Sequence, residues 1–199
     1  MRAERNIATV YPVHSWENPF SNLAWTPDGR WLAFGGTLSA DGPRGIWLLA
    51  ADSNENQEPR QLTEGPPDID TGDFGPVFSP DGTQMAFIRE RTISRGAVFV
   101  VPLTAGGVPA GSAAQLTPES WNARDVAWTA DGRDLLFSWG GHLSLSRLGR
   151  IPATSTPGAV DHPTPLPFGD QATALAISKS GRVVYSAQFR DTALYEASL

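Results

Sequence analysis

"FSPDGTQMAF", residues 78 to 87, places a short apolar strand, a tight turn and a second apolar strand in one line. Proline at the first central turn position pre-sets φ. Aspartate follows, with a side chain that bonds nearby backbone amides, and glycine supplies the positive φ that brings the chain back. The flanking apolar runs then read as the two arms of a hairpin. The same sentence is written again at 25 to 34 as "WTPDGRWLAF" and at 128 to 137 as "WTADGRDLLF". A looser copy, "ISKSGRVVYS", stands at 177 to 186.

The turn glycines, Gly29, Gly82, Gly132 and Gly181, are separated by 53, 50 and 49 residues. A repeat of roughly 40 to 50 residues built of short strands is the mark of a propeller blade, typically four antiparallel strands. The rest of each unit repeats too. Inner strands are expected at 23–25, 76–78, 126–128 and 175–177, each followed by the second arm of its hairpin. Third strands are expected at 45–50, 96–101, 142–148 and 193–198. More polar fourth strands, suited to an outer edge, are expected at 59–63, 113–117 and 163–168. The reading is an all-β, four-bladed propeller, or half of a larger one, in a single domain over 1–199. Its blades run about 21–64, 73–117, 122–168 and 170–199. The segment 6–12, "NIATVYP", shares the register of the fourth strands, so it is expected to close the last blade beside 193–198. Asp28, Asp81 and Asp131 read first as turn residues, and only second as a ring of binding carboxylates.

Composition supports this class. Twenty glycines and 17 prolines among 199 residues favour turns and short strands over long helices. A hydrophobic content of 40% allows an ordinary core. The net charge of −6, with basic residues scattered, is a poor match for nucleic acid, which calls for clustered Lys and Arg. The absence of cysteine removes disulfides, cysteine zinc sites and thiol catalysis together. No apolar run reaches the length of a membrane span or a signal peptide. The expected location is cytoplasmic, or periplasmic should the chain be a processed fragment.

The three hairpins "FSPDGTQMAF", "WTPDGRWLAF" and "WTADGRDLLF" resemble the TolB-like (PD40) repeats, relatives of the WD-repeat propellers. Such repeats also occur in the propellers of prolyl oligopeptidases. The ending, "LPFGDQATALAISKSGRVVYSAQFRDTALYEASL", is similar to the end of propellers that follow a winged-helix domain in some bacterial regulators. The resemblance covers about residues 21–199 and implies a TolB-like ring. The chain departs from it in two ways. The fourth turn has Lys179 and Ser180 where the others have Pro or Ala and Asp, and there are four repeats where TolB-like rings usually have six or more. A DNA-binding role would belong to a winged helix outside this chain.

Candidates for chemistry are sparse. His14, His142 and His162 stand in outer-strand flanks or at the start of a third strand, and no G-x-S-x-G elbow accompanies them. Asp68, Asp70 and Asp73 in "DIDTGD" offer hard oxygen ligands, but their spacing departs from the calcium-loop pattern and reads as a solvated loop. Trp25 and Trp128 fall at one repeat position, as do Phe78 and Ile177, and are expected to pack between blades.

The segments joining each fourth strand to the next inner strand gather at one mouth of a propeller, and they vary where the turns do not. Variable loops on a repeated frame are where function usually sits. These joins, with the N-terminal one, carry Trp16, Glu17, Asp68, Asp70, Asp73, Glu119, Trp121, Arg124 and Asp170. The mouth therefore reads as mostly acidic with two aromatics and one arginine, suited to a cationic ligand, a basic peptide or a metal ion better than to a phosphate. The expected function is a non-catalytic propeller, without cofactor or metal, binding a protein or small ligand as monomer or homodimer. The alternative is the propeller of an enzyme of the prolyl oligopeptidase or sugar-processing kind.

Overall fold

A computed structural model describes residues 9–10, 23–39, 42, 44–52, 58–65, 72–92, 95–140, 146–154, 163–188 and 192–198. It consists of four antiparallel sheets arranged as a four-bladed β-propeller. The first blade runs β1 (Leu23–Trp25), β2 (Trp31–Gly36), β3 (Gly45–Ala50), β4 (Arg60–Gln61). The second runs β5 (Asp73–Phe78), β6 (Gln84–Thr92), β7 (Arg95–Pro102), β8 (Ala114–Gln115). The third runs β9 (Asp125–Trp128), β10 (Asp134–Trp139), β11 (Arg147–Pro152), β12 (Thr164–Pro165). The last has β13 (Ala172–Ile177), β14 (Arg182–Gln188) and β15 (Thr192–Ser198). Each strand pairs with its chain neighbour, so the sheets are simple meanders. Among the described residues the only helical element is a 3-10 turn at Glu119–Trp121.

The repeated turn is held by a device that includes one residue more than the Pro-Asp-Gly reading. A hydroxyl stands two positions before each aspartate: Thr26, Ser79 and Thr129. Each donates to the carboxylate, at 2.6, 2.6 and 2.7 Å. The same carboxylate oxygen accepts the amide two residues on, from Arg30, Thr83 or Arg133. The hydroxyl oxygen in turn accepts the first amide of the returning strand. Gly29, Gly82 and Gly132 take φ of 69°, 72° and 69°. The fourth turn keeps the logic without the carboxylate: the Ser178 and Ser180 hydroxyls are 2.9 Å apart, and Arg182 N donates to Ser178. Successive turns also touch, since Gly82 faces the ring of Pro27 and Gly132 that of Pro80.

The fourth strands of the first two blades are shorter than expected, two residues each, because side chains take over their fastening. Thr63 Oγ1 accepts the amide of Ile46, and Thr117 Oγ1 that of Val98, both buried. Gln61 and Gln115 Nε2 donate to the carbonyls of Thr63 and Thr117. The repeated "QLT" thus seats its leucine, Leu62 or Leu116, in the core.

The core lies between blades. Alternation along each strand gives every blade two apolar faces. One face of blade 1 (Ala33, Ile46, Leu48) meets Met85, Phe87, Phe99 and Val101 of blade 2. The other face of blade 2 (Ala86, Ile88, Val98, Val100) meets Val126, Trp128, Leu135, Phe137 and Ile151 of blade 3. Leu136 and Leu148 of blade 3 meet Leu175, Val183, Tyr185 and Ala187 of blade 4. Full burial of a side chain such as Phe87 or Phe137 stabilises by about 1.5–3 kcal/mol. Two polar links reinforce the stack near the axis: Trp128 Nε1 donates to Val77 O at 3.1 Å, and Leu175 N donates to Asp125 Oδ2 at 2.7 Å.

Two expectations need revision. The third strand of blade 3 is Arg147–Pro152 and not 142–148. The alternating leucines of "HLSLSRL" imitate a strand, but the register with β10 sets Leu148 opposite Ser138 and Ile151 opposite Leu135. Residues 142–145 lie outside the described residues. Trp25 is 56% exposed, whereas its repeat equivalent Trp128 is 6% exposed, because among the described residues no blade packs on it as blade 2 packs on Trp128. The expected closing strand 6–12 lies outside the described residues except for Thr9 and Val10, and Val10 packs against the Phe34, Trp47 and Leu49 cluster of blade 1.

Candidate functional site

Strand alternation puts the turns at one end of the propeller and the joins at the other. The hairpins connecting second to third strands, β2–β3, β6–β7 and β10–β11, return to the same end as the joins. Two of the sequence-selected residues, Asp73 and Trp121, therefore meet side chains of the strands that form these hairpins, and Arg124 bonds to one of them through its backbone amide. Asp170 meets such a side chain as well. Trp16, Glu17, Asp68 and Asp70 lie outside the described residues, as do His14, His142 and His162.

Asp73, at the start of β5, is fully buried. Arg89, opposite it on β6, grips it with two bonds, Nε to Oδ1 at 2.6 Å and Nη2 to Oδ2 at 2.7 Å. The same Nη2 donates to the carbonyl of Glu64 in the preceding join, at 2.9 Å. The guanidinium lies 4.8 Å from the Phe99 ring centre and 5.6 Å from that of Phe87. Its bonds to Asp73 raise its pKa further above the ordinary value. This is a bidentate charge pair whose cation also lies against the stacked Phe87 and Phe99 rings and reaches the join from blade 1, a clamp between blades 1 and 2. Asp73 has no oxygen left facing solvent.

Trp121 closes the 3-10 turn of the second join. Its ring stacks on Phe137, 6.3 Å between centres and 3° between planes, and tilts against Trp139 at 5.9 Å. Asn122 follows in the left-handed region, φ 52°, and its Nδ2 donates to Gly140 O. Trp121 therefore covers the end of the blade 2–3 core. Arg124 is half-buried, with its amide on Ser138 O.

Glu119 and Asp170 meet arginines that the sequence reading did not place here. Glu119 carries Arg91 Nε at 2.8 Å and Arg95 Nε at 3.9 Å, both from the β6–β7 hairpin. Asp170 stands 3.9 Å from Arg147 Nε of β11. Arg91, Arg95, Arg147 and Asp170 are exposed. The described part of the mouth is thus a ring of paired charges of both signs. The signal for this was present in the strand order: every second-to-third hairpin must come back to the end where the joins lie.

The opposite end offers a groove of about 300 Å³ between the first two turns, lined among others by Asp28, Trp31, Asp81 and Leu103. Its carboxylates are already engaged. The bonds from Thr26, Ser79 and Thr129, followed by the backbone amides, hold Asp28, Asp81 and Asp131 below their ordinary pKa. Among the described residues no group of three or more His, Cys, Asp or Glu is placed to hold a metal ion. No described helix is long and apolar enough to cross a membrane.

The fold is that of TolB-type propellers. The chain superposes on TolB from Acinetobacter baumannii with a TM-score of 0.67 at 19% identity, covering 94% of this chain and 42% of that one. The corresponding figures for a putative TolB from Agrobacterium tumefaciens are 0.64 and 18%, covering 89% and 61%. Prolyl oligopeptidase B from Galerina marginata, solved bound to a 35mer hydrolysis and macrocyclization substrate, gives a TM-score of 0.61 at 14% identity, covering 90% of this chain and 26% of that one. Among curated proteins, dipeptidyl-peptidase 5 of Aspergillus fumigatus is 28% identical over 194 residues, covering 84% of this chain. The chain spans 24% of that peptidase's length. No protein-family profile matches the chain.

Proposed function

We propose that this propeller is a non-catalytic binding module that engages a polypeptide segment across the face formed by the joins. The observation that carries the reading is the contrast between the two ends. At the turn end, the repeated carboxylates are tied into their own turns. At the join end, Arg91, Arg95, Arg147 and Asp170 are exposed, differ from blade to blade, and stand on a frame fixed by the Asp73–Arg89 clamp. A segment with carboxylates for the arginines and a basic group for Asp170 is the matching chemistry. One setting for such a module is the interaction part of a bacterial regulator whose DNA contacts are made elsewhere.

The test is a charged-peptide library screened against the purified chain by thermal shift and fluorescence polarisation. Binding is expected to be lost in the Arg91→Glu/Arg95→Glu pair and in Asp170→Lys, and kept in Arg30→Glu on the turn face. Peptides that bind the join-face variants as they bind the parent, but lose binding with Arg30→Glu, would overturn the reading.

A second reading rests on the likeness to dipeptidyl-peptidase 5: the chain is the propeller part of a peptidase. An α/β-hydrolase domain encoded in the same reading frame, releasing chromophore from dipeptidyl anilides when joined to this propeller, would favour it over the first.

A further inference from the structure

Each of the first three blades fastens its fourth strand to its third in one way. Three equivalent residues of the third strands, Ile46, Val98 and Leu148, stand opposite Gly35, Ile88 and Ser138 of the second. Each turns its carbonyl to the outer edge of the blade. There it accepts the amide of the leucine that follows the fourth strand, Leu62, Leu116 or Leu166, at 2.8, 2.8 and 3.0 Å. In the first two blades the amide of the same residue also points outward, onto the hydroxyl of the threonine after that leucine. The next residue along, Trp47, Phe99 or Gly149, faces the last residue of the fourth strand. Under that cover Trp47 and Phe99 are 8% and 9% exposed. The leucine lies on the face of its own blade that meets the next one, so that Leu62 clusters with Ile46 and Ala33.

Blade 4 carries the same edge without its cover. Leu194 stands opposite Ser186 and so holds the place of Ile46, Val98 and Leu148. Among the described residues β15 is the last strand of its sheet, and the amide and carbonyl of Leu194 meet none of the partners found in the other blades. Tyr195 holds the place of Trp47 and Phe99. It stacks on Tyr185 at 5.4 Å, on the face of blade 4 that packs on blade 3, yet it is 41% exposed. Leu194 and Val184, where the leucine of a fourth strand belongs, are 77% and 40% exposed. Open edges are commonly guarded by lysine, proline or a bulge. β15 instead runs unbroken along β14 from Thr192 to Ser198, and its one charge, Glu196, is paired with Arg182 of β14 at 3.2 Å. Val10, in the segment expected to close this blade, is seated on blade 1.

We infer that the outer edge of blade 4 receives a fourth strand from another polypeptide, an extended segment antiparallel to β15 that carries leucine followed by threonine. Its leucine amide donates to the Leu194 carbonyl, and its threonine hydroxyl accepts the Leu194 amide. Its leucine side chain lies over Leu194 and Val184. The chain's own fourth strands specify this chemistry, since "QLT" stands at the end of two of them, at 61–63 and 115–117. Main-chain bonds to the open edge supply affinity and the leucine seat supplies selectivity, as in recognition by strand addition. The edge is separate from the join face, and the inference does not depend on the ligand proposed there.

The probe is a fluorescein-labelled peptide of residues 111–118, GSAAQLTP, titrated with the whole chain by fluorescence polarisation. Saturable binding is expected, together with slowed hydrogen exchange at the Leu194 amide. Leu194→Asp and Val184→Lys are each expected to weaken binding by at least about tenfold, the equivalent of losing one well-seated aliphatic contact. Should Leu194→Asp disturb β15, Val184→Lys on β14 leaves the edge strand intact and carries the same expectation. A peptide with aspartate in place of its leucine should not bind, and the Arg91→Glu/Arg95→Glu pair on the join face should bind GSAAQLTP as the parent does. A GSAAQLTP peptide that fails to bind the parent overturns the inference. So does binding indifferent to both blade 4 substitutions. A parent dimer that Leu194→Asp dissociates, or binding gained only when residues 1–12 are removed, overturns it too, by showing the edge filled by a second copy or by the chain's own N-terminal segment.

Discussion

Replacing Arg89 by methionine should cost this fold more than any other single change at its join end. Asp73 has no exposed surface, and both its oxygens receive Arg89 at 2.6 and 2.7 Å. Methionine keeps much of the apolar contact with Phe87 and Phe99 but leaves a buried carboxylate without its partner. Breaking a buried pair from one side costs about 3–5 kcal/mol. For a chain of this size each kcal/mol moves Tm by about 2–4 °C, so calorimetry should show a fall of roughly 6–20 °C. The double variant Arg89→Met/Asp73→Asn removes the stranded charge together with its partner. It should be more stable than Arg89→Met alone, with a coupling energy on the order of 2 kcal/mol in the double-mutant cycle. Urea unfolding of the four proteins gives that coupling directly. An Arg89→Met variant within about 1 kcal/mol of the parent would refute the argument. Simple additivity of the two single changes would do the same.

Thr63→Val and Thr117→Val each leave a buried amide, Ile46 or Val98, without its hydroxyl acceptor, and chemical denaturation should show losses of about 1–3 kcal/mol that Thr→Ser variants largely avoid. Gly96→Ala drives a Cβ into the carbonyl oxygen of Ala123, so it should destabilise by about 1–3 kcal/mol, visible as a lowered Tm. The three turn aspartates give a pH signature: their folded pKa lies below the ordinary 3.8, so their contribution is fully present above that value and is lost as pH falls through the lowered folded pKa. The combined Asp28→Asn/Asp81→Asn/Asp131→Asn variant should show a shallower loss of stability with acid than the parent in parallel melts.

The repeated hairpin alone was enough to define the architecture, because its parts are local. Proline, glycine and a short hydroxyl or carboxyl side chain act within a few residues of themselves, and period-two alternation marks the strands they join. That is why β3, Gly45–Ala50, was legible to the residue. The same local reading misplaced β11: "HLSLSRL" alternates like a strand, and only its neighbour's register shows that "RLGRIP" is the strand that pairs. It also took the mouth for acidic. The arginines that pair with Glu119, Asp73 and Asp170 stand 16 to 28 residues away along the chain, on the second and third strands whose hairpins return to the joins. Side chains that distant are brought together by strand direction, which no local pattern records. Burial was decided at the same level. Trp25 and Trp128 share a repeat position and a local sequence, yet one is exposed and the other enclosed, because enclosure of a blade's face depends on whether another blade packs against it.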